Sequence, residues 1–291
     1  MSPEVRRIKQ IIEPKMVIEG AGVRLLRSFA PSRENRFDPF LLFDHFAFND
    51  PHETPLAGFP THPHRGIETV TYMLEGSVRH RDSLGNMGVI AAGDVQWMTS
   101  GRGILHEEMP QRSQAGRVDG FQLWVNLPAA LKMSRPCYQE IQSSQIPLLE
   151  KDGVSVRVVA GQYAGISGPV TEIAAQPIYM EVQLLPGSRF ELEVPSDHTL
   201  LVYLFEGAAL FGEEEVVAAL RMITFEPGER FVAETGLAHP AGIGSPARFM
   251  LMAGAPFREP IYPYGPFVMN TMEEIQQTLA ELRAGTFIQP A

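Results

Sequence analysis

The chain carries one pattern twice, in the same order, at an offset of roughly 130 residues. In the first half, Tyr72-Met73-Leu74-Glu75-Gly76 precedes the turn Ala92-Gly93-Asp94 and then Phe121-Gln122-Leu123-Trp124-Val125-Asn126-Leu127-Pro128. In the second, Tyr203-Leu204-Phe205-Glu206-Gly207 precedes Pro227-Gly228-Glu229 and then Phe249-Met250-Leu251-Met252-Ala253-Gly254-Ala255-Pro256. Two copies of one unit is the simplest explanation of such a repeat, the alternative being two unrelated β domains that share common turn residues. The unit is β: Val70–Leu74, Val89–Ala91, Val95–Met98, Phe121–Leu127, Val154–Val159 and Tyr179–Leu184 are short apolar runs bounded by Gly, Pro, Asn and Asp turns. Many short strands at regular spacing predict an all-β sandwich or barrel. The expected organisation is therefore two tandem β-barrels. Residues 1–135 form the first, 136–152 a linker, and 153–291 the second, ending in an α-helix. For that helix, Thr271 with Glu274 makes a capping box, Glu273 suits its start, and Arg283 with Gly285 suits its end. Ile275, Leu279 and Leu282 form its apolar stripe.

The copies differ in chemistry. Six of the eight histidines lie between His45 and His106. His62 and His64, at i and i+2 of an extended segment, point to one side, and His106 with Glu108 repeats that spacing. Four same-facing N and O donors on two segments suffice to hold one transition metal. Imidazole with carboxylate suits zinc, iron, nickel, copper, cobalt or manganese and fits calcium poorly. The carboxylate is ambiguous from spacing alone. Glu68, four residues past His64, turns to the same side on an uninterrupted strand, as Glu108 does relative to His106, whereas Glu107 turns away. Aligned on Gly76 and Gly207, the second copy has Glu193 and Pro195 opposite His62 and His64, and its own His198 and His239 miss the register. The second barrel is thus expected to keep the fold without the metal.

Composition narrows the function. With 34 acidic against 24 basic residues, a net charge of −10 and no basic run, direct nucleic-acid binding is not expected. No apolar run approaches membrane-spanning length, and the first fifteen residues lack the apolar core of a secretion signal. A single cysteine, Cys137, excludes an intrachain disulfide framework. A cytoplasmic location is the expectation.

Gly58-x3-His62-x-His64-x3-Glu68-x7-Gly76 and Gly93-x7-Gly101-x-Gly103-x2-His106 approximate the two motifs of the cupins, which are small jelly-roll barrels. In detail, His62-Pro63-His64-Arg65-Gly66-Ile67-Glu68-Thr69-Val70 and the run from Gly93-Asp94-Val95-Gln96-Trp97-Met98 to Gly101-Arg102-Gly103-Ile104-Leu105-His106-Glu107-Glu108 resemble the signatures of the pirin family. Phe121–Leu127 and Phe267-Val268-Met269-Asn270-Thr271 match as well. The resemblance implies a bicupin with one metal, in the N-terminal barrel, on His62, His64, His106 and Glu108. Glu68 would then support the site from behind, or pair with Arg65 or another base. It further implies a metal-dependent dioxygenase, most plainly with Fe(II), that cleaves quercetin or a related flavonol with O2 and releases carbon monoxide, Glu108 acting as general base. The alternative within the family is a non-enzymatic metal-binding regulator acting through a protein partner, as a transcriptional or metabolic coregulator. A third reading keeps the metal but gives it a substrate that is not a flavonoid. Phe46, Phe59, Trp97 and Met98 read first as ordinary barrel packing and second as candidate apolar walls for a planar polyphenol. Asn126 and Arg102 carry no chemistry that their spacing supports and read as network residues.

Overall fold

The computed structural model describes residues 4–47, 57–212, 215–236 and 246–289. The chain divides into two compact units. One comprises Lys15–Ser143 with Phe257–Ala291, the other Met1–Pro14 with Ser144–Pro256.

Each unit pairs a seven-stranded antiparallel sheet with a four-stranded one. In the first, the large sheet runs Cys137–Ile141, Val95–Thr99, Ile67–Glu75, Asp119–Asn126, Phe40–His45, Val23–Phe29, Lys15–Glu19. The small sheet runs Phe59–His64, Ile104–Gln111, Ser77–Asp82, Met87–Ala91. In the second unit the large sheet runs Ile8–Ile12, Arg221–Phe225, Thr199–Glu206, Ala247–Gly254, Ile178–Leu184, Val154–Ala160, Leu148–Lys151. Its small sheet runs Arg189–Glu193, Arg230–Glu234, Ala208–Phe211, Glu215–Ala218. The two orders correspond position by position. The repeat is therefore a repeat of fold, two double-sheet barrels of the jelly-roll kind.

The units are not the contiguous halves 1–135 and 153–291. Ile8–Ile12 pairs with Arg221–Phe225 and supplies the second unit with the edge that Cys137–Ile141 supplies to the first. Residues 257–291, including the helix Met272–Ala284, pack with the first unit. The physical reason is sheet completion. Each Val95- or Arg221-type strand exposes a row of backbone donors and acceptors that a further strand must satisfy.

The helix starts and stops where its sequence directs. Thr271 Oγ1 accepts from the Glu274 N–H, the Glu274 carboxylate accepts from the Thr271 N–H, and Gly285 closes the C-terminus in a left-handed conformation. Ile275 is buried, and Leu279 and Leu282 pack beside Phe267, Met269 and Phe287.

The two barrels are filled differently. Counting from the matched glycines, His80 of the first corresponds to Phe211 of the second. His80 lies opposite Glu108, and Phe211 lies opposite Ala233. His62 lies opposite His106, and Leu192 lies opposite Phe231. Strand pairing thus makes Leu192, one residue before Glu193, the counterpart of His62. Phe190, Phe211, Phe225, Phe231 and Phe249 close the second interior with ring centroids 5.3–6.4 Å apart. Among the described residues, Leu192, Phe211 and Phe231 thus stand where the first barrel has His62, His80 and His106. His198 is a buried residue whose backbone carbonyl accepts from Arg6, and His239 lies outside the described residues.

Candidate metal centre

His62 and His106 come from adjacent antiparallel strands and sit directly opposite each other, with His64 opposite Ile104. The His106 and His62 Nε2 atoms are 2.9 Å apart, and those of His62 and His64 are 3.1 Å apart. All three ligand atoms lie within 4.8 Å of one another. Two imidazole bonds of about 2.0–2.1 Å meeting at right angles put their nitrogens about 2.9 Å apart, which matches these separations. Two of the far nitrogens are fixed as well. His62 Nδ1 lies 2.9 Å from the Pro60 carbonyl and His64 Nδ1 3.3 Å from the Pro266 carbonyl. A carbonyl can only accept, so each Nδ1 carries the proton and each Nε2 presents its lone pair to the cluster. Burial, with His62 nearby, pushes His64 down to about 3, and burial with His64, His62 and His80 holds His106 well below the ordinary imidazole value. Both shifts favour the neutral form of His64 and His106, the state a metal requires. The donor set fits a transition metal.

The two candidate carboxylates occupy different places. Glu108 is buried with its Oε2 3.9 Å from His106 Nε2, and Thr71 Oγ1 donates to its Oε1 at 3.3 Å. Burial raises its pKa, opposed mainly by His62 and Thr71. A register shift between His106 and Glu108 sets Glu108 opposite Phe59. Glu68 does not continue the strand of His64. Gly66 breaks that strand at φ +78°, where a Cβ would lie 2.2 Å from the Val268 carbonyl oxygen. Glu68 then enters the large sheet opposite Thr99, whose hydroxyl donates to it at 3.0 Å. Burial lifts Glu68 to about 7, with Thr99 and Trp97 opposing. Glu107 faces outward and pairs with Arg81 at 3.3 Å.

The histidines face a cavity of about 370 Å³ lined by His62, His64 and Glu108, by Leu25, Leu42, Phe46, Phe59 and Trp124, and by Glu19, Arg27, Asp44 and Gln122. That volume lies within the range of about 300–1,000 Å³ for small-molecule sites. Phe46 and Phe59 are walls as anticipated. Trp97 and Met98 are buried core residues that do not line this cavity, and Trp124, in T-shaped contact with His64 at 5.1 Å, takes that role. The signal for it was period two. Along Phe121–Val125 the completely buried Phe121, Leu123 and Val125 alternate with Gln122 and Trp124, which face the cavity.

The C-terminal segment braces the strand that carries the histidine pair. Arg65 donates to the Arg102 carbonyl, to Thr278 and to Glu281 at 2.6, 3.0 and 2.6 Å, with its guanidinium 4.5 Å from the Phe287 ring centroid. Buried Lys132 donates to the Gly66 carbonyl, Asn126 Oδ1 and the Val268 carbonyl at 2.9, 2.8 and 2.7 Å. Asn126 and Arg102 are network residues.

A double-sheet barrel with a histidine cluster that can bind a metal defines a cupin. Residues 22–125 match the pirin family model and residues 179–288 match that of the pirin C-terminal cupin domain. The chain is 42% identical over 285 residues to a pirin-like protein of Caulobacter vibrioides, covering 97% of this chain and 99% of the relative. It is 41% identical over 268 residues to human pirin, covering 91% and 88%. A crystal structure described as quercetin 2,3-dioxygenase from Acinetobacter baumannii superposes with a TM-score of 0.87 at 34% identity, covering 97% and 98%. The protein belongs to the pirin family.

Proposed function

We propose that the protein is a metal-dependent dioxygenase that opens the central ring of quercetin or a similar flavonol with O2 and releases carbon monoxide. The observation that carries this reading is the convergence of three imidazoles, two of them in the wall of a largely apolar cavity of ligand size. The likeness to a structure described as a quercetin 2,3-dioxygenase supports the same substrate class.

His62, His64 and His106, with Glu108 as fourth donor, would hold one divalent transition metal, with Fe(II) the first choice and Zn, Mn, Ni, Co or Cu as others. Such a metal supplies Lewis acidity toward the flavonol 3-hydroxyl and 4-carbonyl oxygens and access to O2 chemistry. Glu108 would accept the 3-hydroxyl proton as general base, with Thr71 donating to its Oε1 and limiting its rotation. Leu25, Leu42, Phe46, Phe59 and Trp124 would flank the planar rings and exclude water.

The test is aerobic turnover of quercetin by protein reconstituted separately with each metal, following flavonol absorbance and carbon monoxide, with His64→Ala as control. Ring cleavage that is lost in the variant is expected. Full metal occupancy without quercetin consumption, whichever the metal, would overturn the proposal.

A further inference from the structure

One row of polar side chains crosses the cavity's sheet wall. Arg27 lies opposite Asp44, Asp44 opposite Gln122, and Gln122 opposite Thr71, on four adjacent strands. At the far end, Arg27 donates through Nε and Nη2 to the two Asp44 oxygens at 2.8 Å each, and through Nη1 to Glu19 at 2.6 Å. At the near end, Thr71 lies 3.2 Å from Gln122 Oε1 and 3.3 Å from Glu108 Oε1. Glu19, Arg27, Asp44, Gln122 and Glu108 all line the cavity.

The charges decide what this row can recognise. Three carboxylates, Glu19, Asp44 and Glu108, face the cavity against one guanidinium, and that guanidinium is already engaged by two of them. Apart from the metal that the histidines would hold, an anionic group entering here meets no free cation among the described residues and a surplus of carboxylates. A neutral hydroxyl is matched instead. Each Asp44 oxygen accepts one bond from Arg27 and retains a second lone pair. The bidentate clamp holds the carboxylate in one orientation, so little freedom is lost when a hydroxyl binds.

We propose that Asp44, oriented by Arg27, is the specificity-determining residue of the cavity and accepts a phenolic hydroxyl remote from the oxygens that face the histidines. This rests on the flavonol reading and extends it. The ligand class becomes uncharged polyphenols with a hydroxyl at the far end of the scaffold, and carboxylated or phosphorylated ligands are disfavoured.

The experiment is a binding titration without oxygen on the metal-reconstituted protein, using quercetin and 3-hydroxyflavone. Both carry the 3-hydroxyl and 4-carbonyl, and only quercetin has remote hydroxyls. A hydrogen bond to a charged acceptor predicts a preference for quercetin of roughly tenfold or more. In Asp44→Asn the ratio of the two affinities should fall to within about threefold. Should that variant fail to fold, kaempferol and galangin, which lose the outer-ring hydroxyls stepwise, make the same comparison on the unaltered protein. Equal affinity for every flavonol would overturn this inference while leaving the proposed activity standing. Binding of none of them would overturn the flavonol reading, and this inference with it.

Discussion

His62 and His106 face each other across two antiparallel strands with Nε2 atoms 2.9 Å apart, the separation of neighbouring donors on one metal ion. Their side chains meet because residues directly opposite on paired strands project to the same face. His64, two residues beyond His62, adds the third donor by the same period. The three imidazoles thus form one cluster that could hold a metal ion. Replacing any of them with Ala should weaken metal binding by more than the roughly 10–100-fold that loss of an outer hydrogen bond to a ligand costs. Metal analysis after dialysis against a competing chelator measures this, and near-unit stoichiometry in His62→Ala and His106→Ala would contradict it.

Glu108 and Glu107 are adjacent but face opposite ways, one toward His106 and the other toward Arg81. Glu108→Gln should lower both metal affinity and flavonol turnover, by about tenfold or more. Glu107→Gln should alter each less than about twofold, since an exposed ion pair contributes roughly 0–1 kcal/mol. Comparing the two variants under one assay checks the assignment, and equal effects would refute it.

Glu68 gives a pH signature in the metal-free protein. Burial raises its pKa from 4.5 to about 7, so the folded state holds this proton more tightly than the unfolded state. Stability therefore falls as pH rises from 4.5 towards 7 and levels off above it, a penalty on the order of 3 kcal/mol. Glu68→Gln removes the titration. Its stability relative to wild type should increase across that window and be smallest below pH 4.5. Urea unfolding between pH 4 and 8 measures the difference, and a difference independent of pH would contradict the account.

Lys132 is buried, and its three acceptors match the three N–H bonds of an ammonium, although burial lowers its pKa to about 7. Lys132→Met leaves the Gly66 and Val268 carbonyls and Asn126 Oδ1 without that donor. A loss of at least about 3 kcal/mol is expected in chemical unfolding. A loss below about 1 kcal/mol would mean that the cluster adapts.

Much of this was legible in the chain itself. The repeat announced two β-barrels, and the capping residues announced the helix, because both signals are local. Period two put His62 and His64 on one side for the same reason, whereas His106 joins them only through strand pairing. What lay beyond reach depends on pairings between distant segments. Nothing near Ile8–Ile12 marks Arg221–Phe225 as its partner, and nothing near His64 marks the carbonyl of Pro266. Glu68 and Glu108 are inseparable by spacing on an unbroken strand, and Gly66 breaks that strand. The Arg27–Asp44 clamp was equally silent. Its members are seventeen residues apart and become neighbours only when Val23–Phe29 pairs with Phe40–His45.

The most direct measurement is anomalous diffraction at the iron edge from crystals loaded with Fe(II). The account predicts one strong peak about 2.0–2.2 Å from the Nε2 atoms of His62, His64 and His106 and within reach of a Glu108 oxygen. A peak at any other group, or none there in protein that retains one equivalent of metal, would contradict it.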